Sequence, residues 1–115
     1  MKHMGSKKVG NQTLVFENSP YIISGHSIVG PMEGQGPLAA SFDTILKDTH
    51  DGEKSWEKTE TQMLERAMRE VATKAEIPLN SVDYILAGDL LNQIISSNFA
   101  ARQIGLPFIG LYGAC

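Results

Sequence analysis

The stretch that most constrains this chain is residues 81–115, which read strand, helix, strand. Residues 82–87, Val-Asp-Tyr-Ile-Leu-Ala, are a short apolar run rich in strand formers. Gly88 and Asp89 break it. From Leu91 the apolar positions take helical spacing, through Ile94, Ile95 and Phe99. Gly105 is the expected helix stop, with Pro107 just beyond it. Residues 108–111, Phe-Ile-Gly-Leu, supply a second apolar run. Two strands joined by a helix are as a rule parallel, with a right-handed crossover. The stretch therefore predicts an α/β layered fold, with Gly88-Asp89 and the end of the second run leaving the sheet at one edge.

Upstream, residues 13–16 are β-prone, Glu17-Asn18-Ser19-Pro20 punctuates them, and Tyr21 onward resumes toward Val29. A hairpin is the simplest expectation. Residues 30–37 are a loop by composition. Its Gly34-x-Gly36 is no nucleotide fingerprint, because Ala39 stands where the third glycine belongs and no Gly-Lys-Ser/Thr follows. A short helix is expected over residues 38–46, and a polar, exposed segment over 47–54. Residues 56–75 predict the best helix in the chain. Met63, Ala67, Val71 and Ala75 recur every four residues, beside Leu64, Met68 and Ala72, and charged residues fall mostly on the other side. Ser55 is the expected cap, and Ile77-Pro78 ends the helix because the residue before proline resists helical geometry. A methionine-bearing stripe of this kind is core rather than a ligand groove.

At 115 residues with 42% hydrophobic content, the chain has the material for one small domain. Its net charge of −3, with scattered basic residues, argues against a nucleic-acid platform. No apolar run reaches membrane-spanning length and no secretory signal is present, so the Asn11-Gln12-Thr13 glycosylation match is read as chance. Residues 1–10 are expected to be a flexible tail and residues 11–115 the folded part.

Chemistry centres on Cys115, the single cysteine, which follows the second strand through Gly113-Ala114. In an open α/β sheet ligands collect at the carboxyl ends of the strands. A cysteine opening the next helix would have its thiolate stabilised by free N–H groups, a common route to a nucleophile. A buried, inert cysteine is the competing reading. Asp89, at the neighbouring carboxyl end, is placed to approach Cys115 or simply to cap the helix that follows. Asn92 and Gln93 are candidate donors to an anion or plain surface residues. Arg102 is expected in a structural ion pair. His3, His26 and His50 show no metal-ligand spacing, so neither a metal nor a cofactor is expected.

The strings Val82-Asp83-Tyr84-Ile85-Leu86-Ala87-Gly88-Asp89-Leu90-Leu91-Asn92-Gln93, Asn98-Phe99-Ala100-Ala101-Arg102, Leu106-Pro107-Phe108 and Leu111-Tyr112-Gly113-Ala114-Cys115 resemble the stage V sporulation protein AD family. So do Gln12-Thr13-Leu14-Val15-Phe16-Glu17 and Gly36-Pro37-Leu38. The resemblance implies a thiolase-like fold, with Cys115 at the position of the acyl-accepting nucleophile. It implies binding of dipicolinic acid for uptake into the developing endospore rather than thiolase activity, with small membrane proteins of the same operon as partners. A peripheral seat at the forespore or spore inner membrane follows, as does a homodimer, which thiolase-like proteins commonly form. On this reading Asp89, Asn92 and Cys115 line the ligand site. The alternative is an acyl-transfer enzyme of the thiolase or ketoacyl synthase type using Cys115, and a third possibility is an assembly role without a small ligand. Family members are longer and built from two similar halves. Residues 11–115 would then be the first part of the N-terminal half, stable only beside the remainder of the chain.

Overall fold

The structure, a computed structural model, describes residues 7–113. Two helices dominate it. α1 (Trp56–Lys74) begins where Ser55 turns extended and its Oγ accepts the Lys58 N–H at 3.3 Å. It ends at Ala75, whose N–H returns to the Val71 carbonyl at 3.0 Å. Arg66, Arg69 and Glu70 are exposed, as the spacing predicts, but the Met63–Val71 stripe is only half-buried rather than core, because Met68, Val71, Ala72 and Ala75 wall an open cleft. Replacing the Ser55 cap by alanine is expected to lower stability by about 1 kcal/mol, read as a shifted urea midpoint in the full-length protein.

The strands are short and pair in twos among the described residues. β1 (Lys8–Val9) runs antiparallel to β2 (Thr13–Leu14). β3 (Ile28–Val29) runs parallel to β4 (Thr44–Ile45), and β5 (Ile85–Ala87) runs parallel to β6 (Phe108–Gly110). The hairpin expected between residues 13–16 and 21–29 is not formed. The first run turns back through Gly10, in the left-handed region at φ 67°, to pair inside the segment expected as a tail. The later run passes on to β4 instead. A side-chain clasp fixes that crossing: Asp43 Oδ2 accepts both the N–H and the hydroxyl of Ser27, and Lys74 Nζ bridges Asp43 Oδ1 (2.7 Å) and the Gly25 carbonyl (3.0 Å). The helix expected over residues 38–46 shrinks to a single 3₁₀ turn, Ala39–Ser41, because Thr44 and Ile45 are taken into the β3 ladder.

The β5–α2–β6 unit follows the sequence closely, with parallel strands in the register Ile85↔Phe108, Leu86↔Ile109 and Ala87↔Gly110. α2 (Ile95–Ile104) stops at Gly105, at φ 81°, where a side chain would be strained. Its packing inverts the expected one. The buried residues are Ser96, Ser97, Ala100 and Ala101, which let α2 approach α1 closely, while Leu91, Ile95 and Phe99 are about half exposed. Small side chains won the interface because closeness of the backbones, not bulk, sets the contact.

Candidate functional site

The parallel register brings the carboxyl ends of β5 and β6 to one edge. Leu111 N–H donates to the Ala87 carbonyl at 2.9 Å, extending the ladder one rung past β6. Just after β5 the chain turns at Gly88-Asp89. The Asp89 carboxylate is 5% exposed. Its Oδ1 accepts the Ile94 N–H at 2.6 Å and its Oδ2 accepts the Ser97 N–H at 2.7 Å. Burial pushes the Asp89 carboxyl up. The donated hydrogen bonds, that of Ser97 foremost and then that of Ile94, outweigh it, so the pKa lies below the ordinary aspartate value. Asp89 is thus the anion at the start of α2, satisfying donors that the helix end leaves open.

Ile94, the residue Asp89 holds, sits in the left-handed region at φ 67°. For a β-branched residue this is an outlier, costing on the order of 1–3 kcal/mol. Its side chain lies against β6. A Cβ built on Gly110 would meet Ile94 Cδ1 and Cγ2 at 2.9 Å each, closer than carbon atoms pack. Glycine at 110 is therefore what admits Ile94.

α1 supports the same turn from below. Glu60 Oε1 accepts the Leu90 N–H at 3.0 Å, Glu57 Oε1 accepts the Asn92 amide Nδ2–H at 3.0 Å, and Ser96 Oγ donates to the Glu57 carbonyl at 3.3 Å. These two glutamates brace the turn, and sequence reasoning passed over them. The signal was present for Glu60, which lies three and four residues before Met63 and Leu64 and so shares their inward face.

The sequence-predicted site residues are therefore brought together unevenly. Asp89 and Asn92 share the carboxyl edge, but their polar atoms are engaged with α2 and α1. Cys115 lies outside the described residues. Arg102 is in the last turn of α2, about 12 Å along the helix axis from Ile94, and the ion pair expected for it is not among those found in the described residues. His26 Nε2 lies 3.2 Å from Thr44 Oγ1, linking β3 to β4. His50 stacks on Trp56 with ring centroids 4.0 Å apart. No group of three His, Cys, Asp or Glu side chains among the described residues is arranged to hold a metal ion. An apolar cleft of about 340 Å³ opens toward the amino end of β5, away from Asp89, between Ile23, the second half of α1 and Leu79, Val82 and Leu86.

A parallel β–α–β unit closed by a buried aspartate, on a framework of two helices and short strands, makes this a mixed α/β protein. Comparison with known sequences gives the family. The chain belongs to the Stage V sporulation protein AD (SpoVAD) family, whose profile matches residues 10–115. It is 39% identical over 109 residues to the Stage V sporulation protein AD of Bacillus subtilis (strain 168), covering 95% of this chain and 32% of that relative. The chain thus spans about a third of the length of the curated relative it matches. Membership places it in stage V of sporulation. No helix among the described residues is long and apolar enough to cross a membrane.

Proposed function

We propose that this chain forms part of a dipicolinic acid binding protein of the developing endospore, on a thiolase-like scaffold whose pocket binds rather than turns over its ligand. The observation that carries the reading is the β5–α2–β6 unit. In open α/β sheets the crevice outside the carboxyl ends of parallel strands is where ligands sit, and at that edge Asp89 ties the turn after β5 to the Ile94 and Ser97 amides. Dipicolinate carries two carboxylates and needs cationic or N–H donors. Glu57 and Glu60 each accept from the Leu90–Asn92 turn through one carboxylate oxygen and Asp89 accepts from α2 through both, so they act by fixing that turn, and the groups that touch the dianion come from the remainder of the chain. The resemblance to the family assigns Cys115 the nucleophile position, here with a binding rather than a covalent role. The protein works at the forespore or spore inner membrane as a peripheral homodimer, beside small membrane proteins of its operon.

The test is calorimetric titration of the full-length protein with dipicolinate, and separately incubation with an acyl-coenzyme A followed by peptide mass spectrometry. Saturable dipicolinate binding without an acyl adduct on Cys115 is the expected result, and Cys115→Ser is expected to bind as the parent does. An adduct on Cys115 that turns over, without dipicolinate binding, would establish the acyl-transfer alternative.

A further inference from the structure

We infer that Gly110, Ile94 and Asp89 form a mechanical lock that couples the two exits from the carboxyl edge of the sheet, making all three positioning residues for whatever binds there. The inference rests on the ligand-site reading above and goes beyond it in naming what holds the site open. The coupling runs through three contacts. Ile94 Cγ2 and Cδ1 occupy the space that a Cβ on Gly110 would need, at 2.9 Å. Asp89 Oδ1 binds the Ile94 N–H at 2.6 Å and Oδ2 binds Ser97. Gly110 itself pairs with Ala87, the residue before the Gly88-Asp89 turn.

The consequence is geometric. Pushing Ile94 off β6 drags the Asp89 carboxylate, and Asp89 is one residue from the Gly88 exit. The other exit, residues 111–113, leaves directly from Gly110. One added methyl group at 110 therefore presses on Ile94 and, through it, on both exits together. The left-handed backbone at Ile94 supports this reading. A β-branched residue persists there only where its surroundings over-determine it, and here a carboxylate and a bare strand backbone do so from two sides. Nothing about helix formation requires isoleucine at that position, since a polar cap would suit the start of α2 better.

The experiment is a double-variant cycle in the full-length protein. Gly110→Ala is expected to weaken dipicolinate binding by about tenfold or more, measured at a temperature where circular dichroism reports an intact fold. Adding Ile94→Ala removes the two clashing carbons and is expected to restore affinity to within about threefold of the parent. Affinity unchanged in Gly110→Ala, or a double variant that regains thermal stability without regaining affinity, overturns the lock. Amide hydrogen exchange at Leu111 and Tyr112 gives a readout independent of dipicolinate. It should accelerate by about tenfold in Gly110→Ala and recover in the double variant, and exchange that does not move overturns the lock as well. This exchange pattern across the two variants, with a parent protein that does not bind dipicolinate, supports the lock and refutes the ligand assignment.

Discussion

Asp89→Ala is expected to be among the most damaging single substitutions in the chain, lowering the stability of the full-length protein by about 3–5 kcal/mol. The substitution leaves the part-buried Ile94 amide and the buried Ser97 amide, now held at 2.6 and 2.7 Å, without their acceptors. It also removes the group that keeps Ile94 in the left-handed region. Asp89→Asn keeps the shape but turns an NH₂ toward one of the two N–H donors, so it should cost less, about 2 kcal/mol.

The acid limb of stability gives a second reading of the same residue. The folded pKa of Asp89 lies below its ordinary value. Its stabilisation is therefore complete above the unfolded pKa and is lost as pH falls through the lower, folded value. In urea titrations repeated between pH 6 and pH 2, the parent should lose stability on acidification more steeply than Asp89→Asn. Asp43, held low by the Lys74 ammonium and then by Ser27, titrates in both proteins and cancels from the comparison. Parallel profiles for parent and variant would show that Asp89 carries no such charge-dependent role.

How far the sequence foretold the site divides along physical lines. α1 and the parallel β5–α2–β6 order were legible because each is set by local periodicity and punctuation: a four-residue stripe after Ser55, a Gly-Asp break, a glycine stop and a proline. The capping reading of Asp89 was legible too, because an aspartate between a strand and a helix has a donor-rich helix start to satisfy. What escaped depends on distance in sequence. The pairing of β3 with β4 joins residues 16 apart through two-residue ladders, too short to leave a pattern, and is settled by Ser27, Asp43 and Lys74 meeting in space. The inverted face of α2 escaped because hydrophobicity marked Leu91, Ile95 and Phe99, whereas the contact was decided by the smallness of Ser96 and Ala100. The Ile94–Gly110 contact could not be read from either residue alone. Isoleucine argues against positive φ, and a glycine in a strand signals a close approach without naming the neighbour.

Expressed by itself as these 115 residues, the chain is expected to self-associate, bind a hydrophobic dye and melt over a broad range, and the full-length protein should do none of these. The chain exposes 9081 Å², whereas a compact monomer of its mass exposes about 6,200 Å². Its radius of gyration is 17.1 Å, against about 13 Å for a compact domain of this length. The excess, about 2,900 Å², is of the size that obligate interfaces bury. Large apolar side chains stand in the exposed surface: Tyr21, Ile22 and Ile23 are 87%, 96% and 74% exposed, beside the cleft walled by Leu79 and Leu86. Such a segment next to open sheet edges is a template for association. Light scattering after size exclusion, with differential scanning calorimetry, compares the two lengths directly. A monomeric 115-residue chain with a single sharp, reversible transition would mean that the fold closes its own surface. The excess area would then need an explanation other than a covering partner.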